Sequence, residues 1–126
     1  MEVFTLGNIT LRAHDLGGHK IARNIWTEYA STCDGIVFLV DASDQARIQE
    51  AGKELSNILA IEEIVHVPVL VLGNKIDQPG AMTKYNLQHM LGLAIASDRS
   101  LEVFMCSIIK RQGYKEGFDW LSRQLS

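Results

Sequence analysis

The chain has 126 residues, 47% hydrophobic and 21% charged, the profile of one small globular domain with enough apolar material for a core. Its net charge of -3 comes from interspersed charges without a Lys/Arg run, which argues against a nucleic-acid partner or a polybasic membrane patch. Cys33 and Cys106 each sit in an apolar stretch without metal-ligand spacing, which argues against a disulfide framework and fits a cytoplasmic setting, and the sequence shows neither a bilayer-spanning apolar run nor a signal-peptide pattern.

Two periodicities alternate along the chain. Glu2 to Leu6 and Ile9 to His14 are short β-type runs around Gly7-Asn8, a dipeptide that tolerates the positive φ of a tight turn, and they predict an antiparallel hairpin. Asp15-Leu16-Gly17-Gly18-His19 is a loop, after which Ile21, Ile25, Trp26 and Tyr29 recur at helical spacing. The continuous apolar run Gly35 to Val40 predicts a strand buried on both faces of a parallel sheet and ending at Asp41. Between Asp44 and Glu62 the positions Ile48, Ala51, Leu55, Ile58 and Leu59 keep a period of about 3.6, and Pro68 opens the next buried strand, Val69 to Gly73. A shorter helix is predicted over Lys84 to Leu91, a third buried strand over Leu101 to Met105, and a closing helix with Phe118, Leu121 and Leu125 on one face.

Strands alternating with helices predict a doubly wound α/β sheet, in which ligands sit beyond the carboxyl ends of the strands. The polar outliers fall there: Asp15, Asp41, the trio Asn74, Lys75 and Asp77, and the stretch Cys106-Ser107-Ile108. Asp41 reads more simply as a cap or loop anchor than as a ligand. Cys106 reads as a small buried apolar residue rather than a nucleophile.

The trio has a specific chemical use. A carboxylate placed edge-on to a purine accepts hydrogen bonds from the N1–H and 2-amino groups of guanine, whereas adenine presents an acceptor at N1 and lacks the 2-amino group. Asp77 is therefore suited to select guanine, through charge-assisted hydrogen bonds of about 1.5–3 kcal/mol each. Lys75 is expected to lay its aliphatic stem on the base plane with its ammonium in water. Asn74 is expected to tie neighbouring loops together, the Ser107 amide to donate to guanine O6, and the Ile108 side chain to cover the base. The plainer alternative is a solvated turn that Asp77 initiates ahead of Gln78-Pro79-Gly80.

Asp15-Leu16-Gly17-Gly18-His19 resembles the switch II motif of small GTPases, and Asn74-Lys75-Ile76-Asp77 resembles their guanine-specificity motif. With IVFLVDASD, LEVFMCSI and GYKEGFDWL, nearly the whole chain is similar to the Sar branch of the Arf/Sar family, GTPases that assemble the COPII coat at the endoplasmic reticulum. His19 stands where Arf-type members usually carry Gln, which favours the Sar branch. The resemblance implies GTP or GDP and magnesium as cofactors, with Asp15 holding the metal through water, the Gly18 amide on the γ-phosphate and His19 orienting the attacking water. It places the base among Asn74, Lys75, Asp77, Cys106, Ser107 and Ile108. It further implies coat, exchange-factor and activating proteins as partners, and a cytoplasmic location peripheral to endoplasmic-reticulum and Golgi membranes. Without its motif, His19 would read as an exposed loop histidine.

One departure matters. The sequence contains no Gly-x-x-x-x-Gly-Lys-Ser/Thr, the loop whose amides and lysine cradle phosphates; Gly17-Gly18-His19-Lys20 and Gly52-Lys53-Glu54 lack its spacing. The expectation is a P-loop-NTPase-like doubly wound sheet lacking its first strand and first helix, with residues 1–126 as a single incomplete domain and no membrane-gripping N-terminal helix. Base recognition alone offers about three hydrogen bonds, roughly 3–7 kcal/mol gross, against an association cost of about 4–15 kcal/mol. Weak nucleotide binding and no detectable GTP hydrolysis are expected. The function is then either that of a Sar-type GTPase in endoplasmic-reticulum-to-Golgi transport or that of a nucleotide-free interaction module, a truncated paralogue keeping the switch II surface. With a central strand missing, the hairpin is expected either to close against Ile36 to Val40 or to pair with a second copy in a swapped homodimer.

Overall fold

A computed structural model describes residues 2–6, 9–13, 34–60, 62, 66–92 and 100–125. β1 (Glu2–Leu6) and β2 (Ile9–Ala13) pair antiparallel with Leu6 opposite Ile9, the hairpin expected of two β-runs two residues apart. β3 (Ile36–Asp41), β4 (Val69–Asn74) and β5 (Leu101–Met105) form a second sheet, parallel throughout and ordered β3-β4-β5. Parallel neighbours need crossover connections. These contain α1 (Gln45–Leu59), between β3 and β4, and α2 (Lys84–Met90), between β4 and β5, while α3 (Tyr114–Leu125) closes the chain.

The central strand explains the core. Val69 and Val71 of β4 pack with Ile48 and Leu55 of α1 and Leu87 of α2, while Leu70 and Leu72 pack with Leu121 of α3 on the opposite face. All of these side chains are buried. A strand covered on both faces has no solvent side on which to place polar residues, hence the unbroken apolar run. Thr83 starts α2 by accepting the Asn86 N–H at 3.2 Å, a side-chain cap for an otherwise unpaired donor. Trp120 packs toward the sheet, its ring centroid 6.5 Å from that of Phe104. Gly73 is dictated by packing, because a Cβ there would lie 2.5 Å from Leu87 Cδ2 and 2.7 Å from Met105 Sδ.

Two expectations are corrected. β3 is not buried on both faces: Val40 is buried, but Leu39 is 55% exposed. The strand has β4 as its ladder neighbour, and α3 packs over β4 and β5, meeting the start of β3 near Gly35 and Val37 without covering Leu39. Nor does the hairpin close against Ile36 to Val40; β1 and β2 form a sheet of their own, with no ladder to β3 among the described residues. The loop at 15–19 and the helix expected through Ile21 to Tyr29 lie outside the described residues. Among the described residues, no helix is long and apolar enough to cross a membrane.

Candidate functional site

The three parallel strands end nearly level, with Asp41 opposite Asn74 and Gly73 opposite Met105. The chain therefore leaves each strand at one edge of the sheet, and the polar residues that follow meet there. Asn74 Oδ1 accepts the backbone N–H of Ile108 at 3.0 Å and lies 3.8 Å from the Cys106 thiol. The Ile76 amide donates to the Cys106 carbonyl at 3.2 Å, and the Cys106 amide to the Gly73 carbonyl at 2.8 Å. Asn74 thus ties the loop after β4 to the loop after β5, the linkage expected of it.

Asp77 stands at the centre of this edge. Its Oδ1 accepts the Ser107 hydroxyl at 2.7 Å and its Oδ2 accepts Gln78 Nε2 at 3.1 Å. The Ser107 hydroxyl, helped by Gln78 and Lys110 against a smaller desolvation effect, holds the Asp77 carboxyl below its ordinary value of 3.8. The carboxylate is therefore charged at neutral pH. It is also aimed, because each oxygen already has one partner and keeps lone-pair capacity for a second. Exposed Ile76, Ile108 and Ile109 give the same edge apolar surface.

Two details depart from the sequence expectations. The Ser107 amide, expected to face a base, donates instead to the Gln112 carbonyl at 2.9 Å, and the Gln112 amide returns the bond to Ser107 at 2.9 Å. Ser107 is fully buried and serves through its hydroxyl, which also accepts the Lys110 N–H at 3.2 Å. In this loop the Ile109 amide, like that of Gly113, has no protein acceptor among the described residues. The reciprocal pair was hidden in the sequence because Gln112 reaches Ser107 only through the tight turn ahead of Gly113, whose φ is +82°.

The second departure concerns Lys75, whose ammonium is not left to water but lies 2.9 Å from Asp41 Oδ2. Asp41 Oδ1 accepts both the amide and the hydroxyl of Ser43, at 2.9 and 2.6 Å. Burial pushes the Asp41 carboxyl up, but the hydrogen bonds from Ser43 and Lys75 outweigh it and hold the group below 3.8. The expectation that Asp41 anchors a loop is thereby met, with a partner that spacing alone did not reveal. Burial pushes the Cys106 thiol up, which suits an inert buried residue.

Asn74, Lys75, Asp77, Cys106, Ser107 and Ile108 are thus brought together by the ends of β4 and β5. Asp15, Gly18 and His19 lie outside the described residues. No group of three or more His, Cys, Asp or Glu side chains poised for a metal occurs among the described residues. An open groove of about 390 Å³ between α1 and α2, lined in part by Gly52, Lys53, Met90 and Leu91, shares no residue with this edge.

A sequence profile of the ADP-ribosylation factor (Arf) family matches residues 1–125. The chain belongs to the Arf family. Small COPII coat GTPase SAR1 of Giardia intestinalis is 41% identical over 98% of this chain and 71% of the relative's own length. The protein of the same name from Nicotiana tabacum is 36% identical over the same shares. ADP-ribosylation factor-like protein 8b of Arabidopsis thaliana is 36% identical over 96% of this chain and 66% of its own. The α/β fold, with a parallel sheet covered on both faces by helices, is the one this Arf-family membership calls for.

Proposed function

We propose that this Arf-family chain recognises guanine nucleotides through Asp77 and serves as a Sar-type small GTPase in COPII vesicle transport from the endoplasmic reticulum to the Golgi. The observation that carries the base recognition is the geometry of Asp77: a charged carboxylate beyond the carboxyl end of β4, held in place by the Ser107 hydroxyl at 2.7 Å. One remaining lone pair on each oxygen suits the N1–H and 2-amino donors of guanine. The Ile109 amide, which has no protein acceptor among the described residues, is the donor proposed for O6 in place of the Ser107 amide, which bonds Gln112. The COPII assignment is supported by the names of the two SAR1 relatives. Coat, exchange-factor and activating proteins, met at the surfaces of endoplasmic-reticulum and Golgi membranes, are the partners this reading proposes.

For the base, Asn74, Lys75 and Asp77 with the loop after β5 are the residues proposed. For the remaining parts of the nucleotide and for magnesium, Asp15, Gly18 and His19 are the residues proposed, and magnesium when bound would neutralise phosphate charge. The sequence offers no phosphate-cradling Gly-x-x-x-x-Gly-Lys-Ser/Thr. The 126-residue polypeptide by itself is therefore proposed to bind the base weakly and to show no magnesium-dependent GTP hydrolysis above a His19→Ala control.

The deciding experiment is a titration with GDP and with ADP into the millimolar range, followed by amide chemical shifts in the loops after β4 and β5. Saturating shifts with GDP, absent with ADP and lost in Asp77→Ala, are expected. Equal responses to both nucleotides, or a variant that binds like the parent, would remove Asp77 from the role.

A further inference from the structure

Lys75 adopts φ +67°, in the left-handed region that residues with a Cβ rarely enter. Glycine or asparagine would occupy that position more easily. A lysine there is explicable if its side chain supplies something to the turn. What it supplies is an ion pair to Asp41, which lies 34 positions earlier in the sequence but opposite Asn74 in the β3–β4 ladder.

We propose that Asp41 is a positioning residue of the guanine site: by holding the Lys75 ammonium it stabilises the left-handed turn that delivers Asp77 to Ser107. The inference rests on the reading of Asp77 as the base-recognising carboxylate. Its physical basis is the way the loop is gripped from both flanks. On the β5 side the grip consists of Asn74 with Ile108, Ile76 with Cys106, and Asp77 with Ser107. On the β3 side the Ala42 amide donates to the Asn74 carbonyl at 2.9 Å and the Met82 amide to the Ala42 carbonyl at 2.9 Å, so backbone bonds hold both ends of the loop. The segment between them, Lys75 to Asp77, is held toward β3 by the Asp41 ion pair.

Asp41 is suited to that task because Ser43 holds it independently of Lys75. Ser43 occupies one oxygen with two hydrogen bonds, leaving the other to the ammonium. The side chains of the pair are 46% and 35% exposed, so the bond is screened and adds little to global stability. Its effect is confined to the local turn.

The test compares the parent 126-residue chain with Asp41→Ala, Asp41→Asn, Lys75→Gly and the Asp41→Ala/Lys75→Gly double variant. The first readout is amide hydrogen exchange at Ile76 and Gln78, whose N–H groups bond the carbonyls of Cys106 and Lys75. Asp41→Ala is expected to accelerate both by up to about fivefold, the range of an exposed ion pair, with Asp41→Asn in between and the difference shrinking in high salt. In the Lys75→Gly background, where φ above zero costs nothing, Asp41→Ala is expected to change neither rate. Unchanged exchange in Asp41→Ala, or equal acceleration with glycine at 75, would overturn the proposal.

The second readout is the ratio of GDP to ADP affinity, which Asp41→Ala should lower. Failure of the Asp77 reading would show separately, as a parent chain that does not distinguish GDP from ADP. The exchange data would still decide the role of Asp41 in the turn.

Discussion

The Ser107 hydroxyl reaches 30 positions back along the chain to donate to Asp77 at 2.7 Å, while accepting the Lys110 N–H at 3.2 Å. One buried oxygen thus orders both the carboxylate and the loop that would flank a bound base. Ser107→Ala leaves the Lys110 N–H and a carboxylate oxygen each short of a partner. Both groups can turn to water, so only a modest loss in urea unfolding is expected, with GDP affinity reduced by roughly tenfold. Parent-like values of both would show that the hydroxyl neither braces the loop nor aims Asp77.

Both edge carboxylates respond to pH in the same direction. Asp41 and Asp77 titrate below 3.8 in the folded chain, so between their folded values and 3.8 the unfolded chain binds more protons. Their contribution to stability is complete above 3.8 and is lost as pH falls through the folded values. Thermal midpoints measured from pH 6 down to pH 3 should show an acid limb that is shallower in an Asp41→Asn/Asp77→Asn variant. An identical limb would assign the acid sensitivity to other carboxylates.

The fold and the gathering of Asn74, Lys75 and Asp77 at a strand end were legible in the sequence because both rest on local signals. An unbroken apolar run marks β4, a helical period marks α1, and Asn74, Lys75 and Asp77 interrupt the pattern where the strand ends. What escaped depends on register and coverage. The Asp41–Lys75 pair appears only once β3 and β4 are aligned side by side. The exchange of roles between the amide and hydroxyl of Ser107 depends on a turn at Arg111 to Gly113 that sequence spacing does not specify. The exposure of Leu39 depends on where α3 lies, and an apolar residue in an edge strand looks no different from one in a central strand.

That difference can be measured. Leu55 is fully buried between α1 and the sheet, and Leu55→Ala should cost about 2–5 kcal/mol by transfer and cavity formation. Leu39→Ser should stay within about 0.5 kcal/mol, as substitutions at exposed positions usually do. A cost at Leu39 comparable to that at Leu55 would mean that another surface covers β3 in solution.

Gly113 and Gly80 separate two kinds of backbone demand. Both hold positive φ, +82° and +79°, but a Cβ at Gly80 would meet nothing within 4 Å among the described residues, whereas at Gly113 it would lie 2.2 Å from the Met105 carbonyl oxygen. Gly80→Ala therefore carries only the conformational cost, about 1 kcal/mol. Gly113→Ala carries that cost and a clash with backbone at the end of β5, which cannot rotate away as a side chain could. It should destabilise by about 3 kcal/mol or more. Because Gly113 follows Gln112, whose backbone pairs with Ser107, the same displacement should loosen the hydroxyl from Asp77 and weaken GDP binding beyond the effect of Gly80→Ala. Urea unfolding and GDP titration of the two variants side by side would test this. Equal losses in both would show that the chain moves Met105 aside at little cost and that the turn does not set the geometry of the site.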